Sequence, residues 1–151
     1  RWATRLSPFN ARLVCGELGQ FVALLPADVL SRQRFSVLAE SCVVGFEKFR
    51  EPLSESQLNR RRAAKLSADQ DALLLEWGYP YVFDAFRFHM TLSERIASNE
   101  QRLGLIDTAR RWFAPVLSVP ITVDEISVFR DPGDGGPFRR VASAKFGSPD
   151  Y

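Results

Sequence analysis

The chain is 151 residues long, 46% hydrophobic and 25% charged, the proportions of an ordinary folded protein, which excludes a disordered or membrane-embedded class. Its 20 Lys and Arg against 18 Asp and Glu leave a net charge of +2, too small for general attraction to long nucleic acid but compatible with a small anionic ligand. No run approaches the roughly 18 apolar residues that span a bilayer and no signal-peptide layout is present, so no membrane partner and a cytoplasmic location are expected.

Cys15 and Cys42 belong to no CxxC pair and no histidine cluster, which argues for cytoplasmic thiols and against a disulfide framework or a zinc site. The length fits one domain. The start at Arg1 and the mid-protein character of residues 1–10 lead us to expect the C-terminal part of a larger protein.

In chain order, residues 10–15 and 20–25 are short apolar runs around Gly16-Glu17-Leu18-Gly19, the pattern of a β-hairpin with its turn at the glycines. Residues 27–50 read as a long helix in which Phe35, Leu38, Cys42, Phe46 and Phe49 recur every three or four positions, so that face should pack on a sheet. Two capping boxes follow the stop at Glu51-Pro52, at Ser54 with Gln57 and at Ser67 with Gln70, each opening a helix. Between them lies Arg60-Arg61-Arg62-Ala63-Ala64-Lys65, which reads either as a solvated helix face or as a phosphate-attracting rim.

Trp77-Gly78-Tyr79-Pro80-Tyr81 places a glycine where a helix ends and a proline where it cannot continue. Its aromatics fit equally a core with polar tips or the wall of a pocket that stacks a base or sugar. A third capping pair, Ser98 with Gln101, opens a helix expected to end at Pro115, and 121–130 and 138–146 read as a second hairpin around a Gly- and Pro-rich loop at 131–136. Strands joined by hairpins and helices without regular alternation predict an α+β domain, a mostly antiparallel sheet covered on one side by helices.

The chemistry concentrates in Phe86-Arg87-Phe88-His89-Met90-Thr91-Leu92-Ser93, which holds the chain's only histidine. If this stretch is extended, Phe86, Phe88, Met90 and Leu92 turn inward and Arg87, His89, Thr91 and Ser93 share the other face. Histidine titrates near neutral pH and so can exchange protons at useful rates, while a threonine two residues along can hold a phosphate oxygen beside it.

Phe88-His89-Met90-Thr91-Leu92, followed by a helix and a final hairpin, resembles the second His-x-Thr half of the 2H phosphoesterases, the superfamily of RNA 2′,3′-cyclic phosphodiesterases and RNA-ligase-like proteins. More narrowly, Trp77-Gly78-Tyr79-Pro80-Tyr81-Val82, Phe86 to Leu92 and Arg60-Arg61-Arg62-Ala63-Ala64 resemble the uncharacterised branch found beside bacterial carbon–phosphorus lyase genes for phosphonate use. The resemblance implies a bilobal fold of two antiparallel sheets around a cleft, each lobe giving one His-x-Thr or His-x-Ser. It also implies hydrolysis of a small cyclic phosphate ester or nucleotide with no metal or other cofactor, one histidine acting as base toward water and the other protonating the leaving oxygen. His89 and Thr91 carry over by motif as catalytic residues, and Arg87, Tyr79 and Tyr81 are substrate-binding candidates by position. Such chemistry needs two histidines, so either a preceding segment supplies the first motif and this stretch alone is inactive, or the chain is an inactive nucleotide- or RNA-end-binding module. A structural role in a multiprotein assembly is a third reading.

Overall fold

The computed structural model describes residues 2–133 and 135–147, so Asp134 of the expected loop lies outside the described residues. The first apolar run divides in two: β1 (Phe9–Ala11) and β2 (Leu13–Leu18) are separated at Arg12. The backbone N–H of Arg12 leaves the ladder and donates to Ser31 Oγ at 2.8 Å. β2 pairs antiparallel with β3 (Phe21–Pro26) from Leu13↔Pro26 to Leu18↔Phe21. The turn is therefore Gly19-Gln20, not the expected four residues, and Gly19 takes φ 59°, as the first position of a type II′ hairpin turn requires. Gly16 lies inside β2, where an added Cβ would come within 3.1 Å of Leu25 Cδ1.

Asp28 caps α1 (Val29–Phe46) by accepting from Ser31 N at 2.7 Å. Only the first half of this helix buries its face: Phe35 is in the core, whereas Phe46 is exposed beside Trp2 and Phe49 is exposed in the 3₁₀ turn that follows. α2 (Glu55–Arg62) and α3 (Ala68–Trp77) both begin with complete capping boxes, and α3 ends at Gly78 in the left-handed conformation, φ 74°. A 3₁₀ turn at Phe83–Ala85 precedes β4, which is only Met90–Thr91. Ser98 caps α4 (Asn99–Leu117), which runs past Pro115 to Leu117. Pro115 lies in the last turn, where Ser118 closes the end with N–H and hydroxyl bonds to Ala114 O and Pro115 O.

The second hairpin also divides, at Asp124: β5 (Ile121–Val123) pairs with β1, and β6 (Glu125–Arg130) pairs with β7 (Arg139–Lys145) with a bulge after Val128. The fold is α+β with antiparallel pairing throughout, in three small sheets where the element pattern predicts one and the resemblance implies two. The breaks at Arg12 and Asp124 are the reason. Leu13, Cys15 and Leu24 share one face of the β2-β3-β4 sheet, and Phe35 of α1 and Ala109 of α4 pack against them to form the core. Arg102 of α4 reaches Glu17 on the same face at 3.3 Å. Both long helices thus cover one side and leave the other side for a site.

Candidate functional site

The uncovered face carries Leu18 and Phe21, paired across the hairpin, and Thr91, which lies opposite Ala23 in the β3-β4 register. Alternation along the chain puts His89 on the same side as Thr91 and sends Phe88 to the helix side. There Phe88 stacks on Phe35, with ring centroids 3.6 Å apart and planes 6° from parallel. That contact fastens the histidine segment to the core.

The remaining alternation is only partly as predicted. Met90 is 49% and Leu92 37% exposed, because β4 is the edge strand of its sheet and α1 and α4 bury only the part over β2 and β3. Phe86 lines the cleft because the 3₁₀ turn just before it resets the alternation. Ser93 is taken up structurally: its hydroxyl accepts from Val22 N at 3.0 Å and donates to Glu94 O at 2.8 Å, prolonging the ladder beyond β4.

A cleft of about 590 Å³ lies on this face, lined by Arg87, His89 and Thr91, by Tyr79 and Tyr81, and by Leu18, Gly19, Phe21, Ala85 and Phe86. All five residues singled out from the sequence therefore border one cavity. Hairpin residues Leu18, Gly19 and Phe21 join the lining without a local signal, since nothing in the sequence of a hairpin marks which face will stay open. No carboxylate is among the lining residues.

His89 Nδ1 lies 2.7 Å from the carbonyl oxygen of Arg87. A carbonyl can only accept, so Nδ1 carries the proton and, in the neutral ring, Nε2 keeps the lone pair for chemistry. Arg87 Nη1 donates to the carbonyls of Asp84 and Phe86 at 2.6 and 2.7 Å, which anchors the guanidinium while leaving its charge unopposed by any carboxylate among the described residues. Tyr79 and Tyr81 meet edge-to-face at 5.6 Å, forming an aromatic wall. Trp77, by contrast, packs on Phe83 at 4.9 Å and takes the structural part of the sequence reading.

The basic run separates into different environments. Arg62 makes a two-pronged ion pair with Asp71, 2.6 and 2.8 Å, which ties α2 to α3 and holds the Asp71 carboxyl below its usual range. Arg61 lies over the Tyr79 ring at 5.2 Å, Arg60 is exposed, and Arg95 lies over Phe21 at 5.7 Å. Among the described residues no group of three or more His, Cys, Asp or Glu could hold a metal ion, and no helix is long and apolar enough to cross a membrane.

Residues 1–139 match the model of a family described as "Protein of unknown function (DUF1045)". The chain belongs to the DUF1045 family. It is 40% identical over 104 residues, 67% of its length, to a Janthinobacterium sp. (strain Marseille) protein named ribose 1,5-bisphosphate phosphokinase PhnN. A Laribacter hongkongensis (strain HLHK9) protein of the same name is 28% identical over 137 residues, 91% of the chain. The chain spans 23% and 30% of the length of these two relatives. No solved structure matches it.

Proposed function

We propose that this DUF1045 chain forms half of a two-histidine cyclic phosphodiesterase site, of the 2H phosphoesterase kind, that opens a small cyclic phosphate ester in phosphonate metabolism. The observation that carries the reading is the fixed tautomer of His89 in a cleft that offers a hydroxyl, a guanidinium and no carboxylate. Nε2 is the free proton-transfer atom, Thr91 Oγ1 and Arg87 hold nonbridging phosphate oxygens, and the tyrosine wall receives the sugar or base.

In the reaction, one histidine takes a proton from water as its oxygen attacks phosphorus. The bond from phosphorus to one sugar oxygen breaks, and a second histidine gives that oxygen a proton, leaving a phosphomonoester. The sequence holds one histidine, so in this reading the second comes from outside these residues. The name of the two relatives supports a phosphorylated sugar as ligand, because ribose 1,5-bisphosphate is one. That name describes whole proteins of which this chain matches less than a third.

The test is His89→Ala in the full-length protein, assayed on a ribose cyclic phosphate. Turnover should fall by about 10²- to 10⁴-fold, the range for a general acid–base group; full retained activity would remove His89 from the mechanism. The single histidine favours one second reading, an inactive nucleotide- or RNA-end-binding module. It is distinguished by measurable ligand affinity without turnover and by a full-length sequence with no second His-x-Thr.

A further inference from the structure

Arg61 is placed by two neighbouring contacts. The ion pair from Arg62 to Asp71 locks α2 against α3, and α3 ends at Gly78, so Tyr79 emerges next to α2. The Arg61 guanidinium carbon then lies 5.2 Å from the centre of the Tyr79 ring, and Tyr79 borders the same cleft as His89. Arg61 makes no ion pair among the described residues, and its Nε is shielded from solvent without a hydrogen-bond partner. A shielded N–H left unpaired is costly, and a planar guanidinium without an ion pair matches a phosphate's geometry.

We propose that Arg61 binds a second, non-reacting phosphate of the substrate at the tyrosine end of the cleft, so that the ligand is a sugar phosphate bearing the cyclic ester at its other end. This rests on the phosphoester reading above and adds a substrate class to it. The two ends differ in kind. His89, Thr91 and Arg87 offer proton transfer and oxygen binding, whereas Arg61 with Tyr79 offers only charge, donors and a ring face.

The experiment is a binding titration of the full-length protein with ribose 5-phosphate and with ribose, followed by NMR. Arg61→Gln should weaken ribose 5-phosphate by about tenfold or more, as expected for losing a charge-assisted hydrogen bond, with ribose affected less than twofold and Arg61→Lys restoring part of the loss. A change under twofold for ribose 5-phosphate, or equal losses for both sugars, would mean that Arg61 merely supports Tyr79 and would overturn the proposal. Should Arg61→Gln fail to fold, the wild-type Arg61 Nε–H signal, assigned by its absence from Arg61→Lys, must shift with ribose 5-phosphate and not with ribose; an unmoved signal refutes the site. Binding needs no turnover, so a protein that passes this test yet cleaves no cyclic phosphate refutes the phosphodiesterase reading alone.

Discussion

At the residue scale, the Nδ1–H of His89 donates to a backbone carbonyl two positions earlier, so the tautomer depends on the local path of the chain and not on a neighbouring side chain that could vary. Thr91 depends on register instead: pairing of Ala23 with Thr91 turns its hydroxyl to the cleft side, and a slip of one residue would turn it to the helix side. Thr91→Val keeps the shape and removes the hydroxyl. On the proposed mechanism, kcat for a cyclic phosphate should fall about tenfold to a hundredfold, the worth of a hydrogen bond to a charged group, while Thr91→Ser keeps most activity and both variants melt near the wild type. A Thr91→Val enzyme with unchanged kcat would show that the hydroxyl does not touch the reacting phosphate.

At the element scale, β4 has few backbone bonds of its own and is held by substitutes. Leu92 N donates to Val22 O at 2.8 Å, Ile96 N donates to Gln20 O at 2.9 Å, and the Ser93 hydroxyl receives Val22 N. Val22 is completely buried, so Ser93→Ala leaves its N–H without an acceptor. The expected cost is about 1–3 kcal/mol, measured as a lower urea midpoint with unchanged slope; a midpoint equal to wild type would mean that water replaces the hydroxyl. The three serine caps were legible because a cap is read from residues three apart, whereas the extent of the histidine strand was not. Its length depends on how far β3 runs beside it, and the 3₁₀ turn at Phe83–Ala85, with Phe83 at φ 51°, uses a residue type that seldom signals such a turn.

At the scale of the whole molecule, three carboxylates tie the helical layer together and set its response to acid. Asp28 is held below the usual carboxylate range by the Ser31 backbone and hydroxyl, Glu47 by its bonds to Arg50, and Asp71 by its bonds to Arg62. Each has a folded pKa depressed from an unfolded value near 4, so its stabilisation is present above that value and lost as pH falls through the folded one. Tm should therefore stay level from neutrality to about pH 5 and drop below about pH 4, less steeply in Asp71→Asn. A Tm that rises on acidification would contradict this. Burial also raises the thiol pKa of Cys15 and Cys42.

The sequence by itself determined the α+β class, the antiparallel pairing, the order of elements and the helix starts, because these follow from periodicity, caps and turn residues read over a few neighbouring positions. Tertiary structure alone decided that the sheet divides at Arg12 and Asp124, that both long helices cover one face, and that the other face opens into a cleft lined by both Tyr79 and His89. It also separated the arginine run into a strut at Arg62 and an unpaired donor at Arg61. Those outcomes depend on which distant partner each polar group finds: Ser31 for Arg12, Asp71 for Arg62 and the Tyr79 ring for Arg61. No local pattern encodes a partner that the fold must first bring near.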